Sequence, residues 1–220
     1  MKNFKVVISK SIDPFFNIKT DEYMLKLAGN GIIPPTVRFY KNSKSVIIGR
    51  FQCPEMEIDE KFCKRNGIPV IRRISGGGTV FHDQGNLNIA IYLPEKFMPA
   101  QYVSESMKVF SQCIANTLSI LGFPAEIDKH NSVLISGRKV SGSAGAKKFG
   151  GFLFHATLLL NADRETMKKA LHPKIAAKTK KRCVLSNRYK TINLYEIKFV
   201  PEEKILATTI EQIKVAINTS

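Results

Sequence analysis

The sequence predicts an α+β fold in which helices flank a mixed, largely antiparallel β-sheet. Two observations predict it: apolar segments with strand character follow one another through short turns, and the strongly helical segments are set apart from them. A doubly wound fold would instead alternate strands and helices regularly. The chain has 220 residues, 44% of them hydrophobic, which suits a single domain with a substantial core.

The first half of the chain is predicted to contain four strands and two helices. MKNFKVVISKSID resembles a short strand, and a helix should follow over residues 13–31, whose apolar residues roughly keep helical spacing: Phe16, Ile18, Tyr23, Met24 and Leu27. TVRFYKN and SVIIG are typical of a strand pair joined by a polar turn. IDEKFCKRNG should form a short helix ended by Gly67, and IPVIRRI the next strand.

The second half begins with NLNIAIYLP, which alternates like a half-buried strand and is stopped by Pro94. Residues 100–122 give the clearest helical pattern, with one apolar stripe formed by Val103, Met107, Phe110, Ile114, Leu118 and Leu121. Strand-like segments follow at AEI, SVLIS and GFLFHATLLLN. A helix at about 163–171, a basic segment and a final amphipathic helix at about 201–217 complete the chain.

The charge of the chain is strongly basic, with a formal net charge of +16. Such a balance suits a nucleic-acid partner, a polyanionic small ligand or an acidic protein partner, although a lysine-rich run is often only a solvated face. The basic residues concentrate in KKFG and in KIAAKTKKRC. No apolar run approaches the roughly 20 residues that span a bilayer, and the N-terminus does not resemble a signal sequence. We therefore expect a cytoplasmic protein that does not bind membranes.

The four cysteines are scattered, at Cys53, Cys63, Cys113 and Cys183, without a CxxC pair or a neighbouring histidine at metal-ligand spacing. We expect free thiols, most of them buried.

The segment RRISGGGTVFHDQGN, residues 72–86, interrupts the predicted core with three consecutive glycines and charge on both sides. Glycines allow backbone amides to approach a bound anion closely, and two preceding arginines supply planar donors suited to phosphate or carboxylate. The segment lacks the patterns GxxxxGK[ST] and GxGxxG of the common nucleotide-binding loops. It predicts an anion site, with a glycine-rich bulge between strands as the alternative.

A second segment, SGRKVSGSAGAKKFGGFLFHATLLLNAD at residues 136–163, places Lys139 between a strand and a stretch of small residues, followed by a strand with His155. A lysine beside small residues can reach into a cleft and contact two anionic groups at once. This is needed when a carboxylate attacks the α-phosphate of ATP. The alternative is an ordinary turn lysine in solvent.

Together these segments resemble the lipoate-protein ligases of the biotin/lipoate ligase superfamily. The resemblance covers nearly the whole chain in the family's order, through DPFFN, VIIGRFQ, RRISGGGTVFHDQGN, GRKVSGSA, FHATLLLNAD and IAAKTKKRCVLSNRYKTINLYE. It implies one catalytic domain over residues 1–220, with ATP-dependent activation of lipoate to lipoyl-AMP and transfer of the lipoyl group to a lysine. The implied acceptors are lipoyl domains of 2-oxoacid dehydrogenase E2 subunits and the glycine cleavage H protein, and Mg²⁺ would accompany ATP.

The resemblance also implies roles for individual residues. Lys139 would contact both the lipoate carboxylate and the α-phosphate. ATP would be bound by Arg73, Gly78, Thr79, Val80 and Phe81, and the lipoate pocket would be lined by Arg72, Ser75, Gly77 and His155, with apolar strand residues around the dithiolane chain. His82 and Asn86 would brace the glycine segment, or His82 would be purely structural. The basic loop at about 174–190 would close over the adenylate.

Some features depart from the family's usual pattern. Thr79 stands where alanine is usual, Ala156 where glycine is usual, and Ser132 where aspartate is frequent, which leaves the metal ligands unassigned. The chain also ends soon after its final helix, so we expect the small C-terminal domain of bacterial ligases to be absent and a separate accessory subunit to be a possible requirement.

Two other functions stay open. An octanoyl- or lipoyltransferase of the same superfamily would use a cysteine nucleophile and no ATP, but the sequence holds no cysteine from Gly122 to Arg182. A non-catalytic binder of nucleotide or nucleic acid would suit the charge, but clustered aromatics and known nucleic-acid modules are missing.

Overall fold

The computed structural model describes residues 4–173 and 183–218. The strands in these residues are β1 (Lys5–Ile8), β2 (Thr36–Tyr40), β3 (Ser45–Ile48), β4 (Val70–Arg72), β5 (Val80–His82), β6 (Asn86–Pro94), β7 (Ala125–Ile127), β8 (Val133–Ile135), β9 (Arg138–Lys148) and β10 (Gly151–Leu159). The helices are α1 (Pro14–Gly29), α2 (Pro54–Glu57), α3 (Glu60–Arg65), α4 (Val103–Ile120), α5 (Arg164–Ala170) and α6 (Glu202–Asn218). The predicted α+β fold is confirmed.

The strands form two sheets. The larger has the order β1-β2-β6-β10-β9-β8-β7, in which only the β1 and β2 pair is parallel. The smaller has the order β4-β3-β5. The predicted pairing of β2 with β3 is therefore wrong: β2 pairs with β1 and β6, whereas β3 pairs with β4 and β5. The short polar connection between them links two sheets instead of closing a hairpin.

The two faces of the large sheet are both covered, which explains why all nine residues of β6 are buried. Leu87, Ile89 and Ile91 point into the main core, which the apolar stripe of α4 and the inner face of α6 complete. Ala90 and Tyr92 point to the other face, where α1 packs. The half-buried strand expected from the alternating pattern is thus buried on both sides.

Helix α1 begins at Pro14, and the carboxylate of Asp13 caps it by accepting from the amides of Phe15 and Phe16. The predicted apolar stripe of this helix is confirmed at Ile18, which is buried, and at Met24, which packs against the core, but is wrong at its two aromatic residues. Phe16 and Tyr23 are exposed, whereas Asn17 and Asp21 are buried against the sheet. The buried face of α1 is mixed: Leu25 and Ala28 pack in an apolar cluster, whereas Asp21 belongs to a hydrogen-bonded network described below.

Two further expectations need correction. Cys53 and Cys183 are not free thiols but form a disulfide, with 5.7 Å between their Cα atoms; Cys63 and Cys113 are free and buried, as expected.

Strands β5 and β9 are absent from the sequence-based prediction. The residues of β9 are mainly small and basic and show no apolar pattern. Most of the predicted basic loop, residues 174–182, lies outside the described residues. Among those described, none of the helices has both the length and the apolar character needed to cross a membrane.

Candidate active site

A cavity of about 320 Å³ lies where the glycine segment meets strands β9 and β10. Among its lining residues Asn187 is exposed and Lys139 and Tyr189 are partly exposed, and they mark its outer end; the apolar side chains of Ile18 and Ile47 are buried and mark its inner end. The predicted site residues that line it are Arg73, Gly77, Gly78, Thr79, Val80, Lys139 and His155. Residues distant in the sequence therefore meet in one concave site, the usual form of a small-molecule site.

The buried side chain of Arg73, which is 6% exposed, holds the glycine segment in place through hydrogen bonds. Its guanidinium donates to the carbonyls of Gly76 at 2.6 Å and Gly78 at 2.7 Å, and to the Ser75 hydroxyl at 2.9 Å. Burial lowers the pKa of Arg73 to about 10, so it stays cationic at neutral pH. Arg73 thus shapes the segment by binding its carbonyl groups.

This arrangement directs the Gly77 amide away from Arg73, because this N–H follows the Gly76 carbonyl that Arg73 binds, and the carbonyl and N–H of a planar trans peptide point in opposite directions. Gly77 adopts a positive φ of 80° and packs so close to Ala144 that a Cβ would lie 3.2 Å from the Ala144 Cβ. The amides of Gly76, Gly77 and Gly78 donate to no group in the described part of the chain. They are suited to an anion in the cavity.

Lys139 reaches the cavity because strand β9 has a bulge. Val133 pairs with Ser141, but its neighbour Leu134 pairs with Lys139, so β9 contains one extra residue at this point. The bulge places Lys139 on the cavity side of the strand together with Gly142 and Ala144, which an uninterrupted alternation would not do. The Lys139 ammonium lies 4.6 Å from the centre of the Tyr189 ring.

Burial lowers the pKa of Lys139 to about 8. The negative charge of Asp128 opposes this effect, and the positive charge of Arg73 adds to it. An anionic ligand would favour the charged ammonium. Lys139 is therefore a cation at the outer end of the cavity whose charged form a bound anion would stabilise.

His155 connects the cavity wall to a buried network around Asp21. Its Nδ1 lies 3.1 Å from the Asp21 carboxylate, and its Nε2 lies 2.6 Å from the Ser75 hydroxyl. Asp21 also accepts from Arg38, Tyr40 and Tyr92. Burial would raise the pKa of Asp21, but His155 and Arg38 outweigh it and the pKa is lowered. Because an ionised carboxylate can only accept hydrogen bonds, the contact with Asp21 keeps a proton on the Nδ1 of His155. This hydrogen bond fixes the orientation of the imidazole ring.

Three predicted site residues do not line the cavity. The Arg72 guanidinium points the other way and donates to the carbonyls of Gly49, Arg50 and Gln52. Phe81 is buried in the core behind the small sheet. Ser75 is 1% exposed and contacts the cavity only through His155 and Arg73. Two adjacent arginines in a strand point to opposite sides, so only one of them can hold the glycine segment.

The structure adds residues that the sequence patterns did not indicate. Ser186 accepts from the Thr79 amide at 2.8 Å and from Gln52 at 3.0 Å, and donates to Glu57. Gln52 in turn accepts from the Thr79 hydroxyl at 2.9 Å. The Cys53–Cys183 disulfide lies beside this cluster. Together they attach residues 183–187 to the glycine segment, a contact between parts of the chain more than 100 residues apart.

The described residues contain no cluster of three or more acidic, histidine or cysteine side chains that could hold a metal ion. Asp128, the carboxylate that influences Lys139, accepts from the amides of His130 and Ser132 and from the Tyr189 hydroxyl. Its oxygens are thus already engaged. This part of the chain does not fit a resident Mg²⁺.

The fold and the cavity define an α+β domain with a concave site whose lining combines cationic and apolar side chains, a composition suited to a small anionic molecule. Residues 13–214 match the family model of the lipoyl protein ligase A/B catalytic domain, and the chain belongs to this family. It is 30% identical over 181 residues to lipoate-protein ligase A subunit 1 of Thermoplasma acidophilum, covering 74% of this chain and 68% of that protein. It is 29% identical over 227 residues to octanoyltransferase LipM of Brevibacillus brevis, covering 91% and 81%.

Solved structures share the fold. A lipoate-protein ligase A bound with ATP matches with a TM-score of 0.82 and 24% identity, over 99% of this chain and 86% of that chain. A bi-partite lipoate protein ligase from Thermoplasma acidophilum, studied with its E2 lipoyl domain, matches with a TM-score of 0.78 and 24% identity, over 99% and 85%. Some relatives are longer: the chain covers 44% of a Schizosaccharomyces pombe relative and 60% of an Aeropyrum pernix relative, at 38% and 36% identity.

Proposed function

We propose that this chain is a lipoate-protein ligase that forms lipoyl-AMP from lipoate and ATP and transfers the lipoyl group to a lysine of a lipoyl domain. One observation carries the proposal: Lys139 and a glycine segment whose amides have no acceptor among the described residues line one cavity, together with the apolar side chains Ile18, Ile47 and Val80. An acid with an apolar chain and a nucleotide phosphate can therefore meet beside one cation. ATP in a structure of the same fold supports the proposal.

In the first step, a carboxylate oxygen of lipoate attacks the α-phosphorus of ATP and pyrophosphate leaves. Both reactants are anionic, so their approach requires positive charge between them. Lys139 would supply it, and the amides of Gly76, Gly77 and Gly78, which have no acceptor among the described residues, would donate to phosphate oxygens. Arg73 contributes indirectly by holding the carbonyls of the glycine segment. Mg²⁺ would enter on the phosphates of the nucleotide.

In the second step, the neutral ε-amine of an acceptor lysine attacks the acyl carbon of lipoyl-AMP, an amide bond forms, and AMP leaves. The mixed anhydride is already activated, so this step needs mainly positioning and exclusion of water. The net charge of +16 would assist encounter with an acidic acceptor. The proposed acceptors are lipoyl domains of E2 subunits and the H protein, in a cytoplasmic setting.

A separate accessory polypeptide is part of the proposal. The Thermoplasma acidophilum relative is named as a subunit, and the matching structure is described as bi-partite. We expect the chain alone to form the adenylate weakly and a small partner to increase the rate.

The cysteines favour a ligase over a transferase. A transferase would need a free thiol at the cavity, but Cys53 and Cys183 are joined, and Cys63 and Cys113 are buried away from it. Burial raises the pKa of Cys113 to about 12, which suppresses its thiolate. The similarity to an octanoyltransferase nevertheless makes ATP dependence the decisive property.

The test is mass spectrometry of an acceptor lipoyl domain incubated with the chain, lipoate and ATP, with and without a candidate small partner. A lipoyl mass gain that requires ATP is expected, and Lys139→Ala should abolish it. Lys147→Ala is the matched control, because Lys147 lies on the same strand but pairs with Glu95 at the surface. Acylation without ATP from an acylated donor protein would favour a transferase. Full activity of Lys139→Ala would remove the assignment of Lys139.

A further inference from the structure

The ammonium of Lys139 has no anionic partner within the described part of the chain. None of the ion pairs or side-chain hydrogen bonds among these residues involves it. A lysine ammonium sits on a long and flexible stem, so without a partner it samples many positions. A site that needs the charge at one point therefore has to hold it in another way.

Two contacts define where this ammonium lies. One is with the backbone of Gly142, on the same strand. The other is with Tyr189: the Lys139 Nζ lies over the tyrosine ring, 4.6 Å from its centre. This distance is short enough for the negative face of an aromatic ring to attract a cation. The glycine thus leaves space for the ammonium, and the ring attracts it.

The ring of Tyr189 is fixed by its hydroxyl group. The hydroxyl donates to one oxygen of Asp128, and the other oxygen accepts from the amides of His130 and Ser132 at 2.9 Å each. Burial and the hydrogen bond to Asp128 raise the pKa of Tyr189, so the ring stays a neutral phenol. Asp128 therefore holds the ring that holds the cation.

The backbone that follows Tyr189 is bonded to the backbone of Lys139. The Lys139 amide donates to the Lys190 carbonyl at 2.8 Å, and the Lys139 carbonyl accepts from the Ile192 amide at 3.0 Å. On the other side of Tyr189, the Ser186 hydroxyl accepts from the amide of Thr79. The ring and the lysine thus belong to one hydrogen-bonded unit, although they are distant in the sequence.

Core packing does not explain the position of this ring. Tyr189 is half-buried, lines the cavity and belongs to none of the apolar clusters formed by the described residues. Its ring meets the Lys139 ammonium instead. The contact is therefore a feature of the site.

We propose that Tyr189 is a positioning residue, whose ring face holds the Lys139 ammonium charged and in place before the acid and the nucleotide bind. The inference rests on the proposed function for the reactants that this charge serves. A cation placed in advance needs no rearrangement when the reactants arrive and charge develops between them. The ring also favours the protonated form, against the burial that lowers the pKa of Lys139 to about 8.

Other groups act on the same ammonium. The charge of Asp128 favours its protonated form, and the charge of Arg73 opposes it. The titratable side chains of the cavity wall also include three histidines, His82, His130 and His155. A test must change the ring face and leave these groups as they are. Fluorination of the ring does so, because fluorine withdraws negative potential from the face while the shape stays nearly the same.

The test compares Tyr189→Phe with Tyr189→trifluoro-Phe in the full chain, since both variants lack the hydroxyl and they differ only in the ring face. Magnetic resonance of protein with isotope-labelled lysine follows the protonation of Lys139, whose signal Lys139→Ala identifies. We expect the midpoint pH to be lower by about half a unit in the fluorinated variant, a factor of about three in the protonation equilibrium. The same two substitutions at Tyr23, which is 61% exposed, are the matched control and should leave the midpoint unchanged.

Equal midpoints in the two Tyr189 variants would overturn the inference. The wild-type protein decides the question even if the variants fail to fold. The hydrogens on the Lys139 Cε should resonate upfield of those of the exposed lysines, because they lie near the ring face. Resonance at the position of the exposed lysines would also overturn the inference.

Pyrophosphate release with lipoate and ATP connects this contact with the reaction. Above about pH 8, Tyr189→trifluoro-Phe should release pyrophosphate about threefold more slowly than Tyr189→Phe. Equal rates despite different midpoints would overturn the positioning role. If the wild-type chain releases no pyrophosphate, with or without a candidate small partner, the proposed function fails, whereas the midpoints still decide whether Tyr189 holds the charge.

Discussion

The side chain of Lys139 lies directly across the backbone of Gly142. A Cβ atom at position 142 would lie 2.6 Å from the Lys139 Cε and 2.7 Å from its Nζ. Both residues are on β9, and the bulge brings them to the same side of the strand. The glycine therefore provides the space in which the ammonium rests, and the position of the charge depends on it.

Gly142→Ala should displace the Lys139 ammonium without unfolding the protein, because the end of a flexible side chain can move. A shift of about 1 Å can reduce the rate on the order of a hundredfold. Pyrophosphate release with lipoate and ATP measures the rate, and thermal unfolding is the control. A normal rate at a normal melting temperature would contradict this role of Gly142.

Ligand binding should weaken above about pH 8. Below the pKa of Lys139, about 8, the ammonium is charged before the ligand arrives. Above it, binding must take up a proton, so the affinity should fall by up to tenfold per pH unit. Calorimetry in buffers of different ionisation enthalpy would detect the uptake. Lys139→Arg, which stays charged, should bind with a flat pH profile, and a wild-type profile equally flat would refute the link.

Asp21→Asn should strongly destabilise the fold. The carboxylate is buried and accepts from Arg38, Tyr40, Tyr92 and His155. Removing its charge leaves Arg38 without its ion pair, which should cost roughly 3–5 kcal/mol. Urea unfolding measures the loss. The control is Glu22→Gln on the same helix, whose ion pair with Lys19 is exposed and should contribute less than about 1 kcal/mol. Equal losses in the two variants would be evidence against the network.

Reduction of the Cys53–Cys183 disulfide should lower the free energy of unfolding by about 2–5 kcal/mol, because the bond closes a long loop with a sequence separation of 130 residues. Thermal unfolding with and without reductant tests this. The double variant Cys53→Ser/Cys183→Ser should be insensitive to reductant. An unchanged wild-type melting temperature under reducing conditions would show that the bond does not contribute to stability.

The sequence by itself determined most helices, most strands and the two segments that form the site. Local patterns suffice for these features: the stripe of α4 follows helical periodicity, and the consecutive glycines beside two arginines predict an anion site. The α+β class followed from the same local evidence. Lys139 and His155 were recognised with the help of the family resemblance, and both line the cavity.

Only the tertiary structure decided how these segments are used. The assignment of β2 and β3 to different sheets, the Cys53–Cys183 bond and the contact between Lys139 and Tyr189 all depend on residues far apart in the sequence. The same holds for the two arginines, since Arg73 donates to the glycine carbonyls whereas Arg72 donates to the carbonyls of Gly49 and Gln52. The bulge in β9 likewise sets the direction of Lys139. Periodicity specifies which elements form, but contacts between distant elements decide which side chains share a cavity.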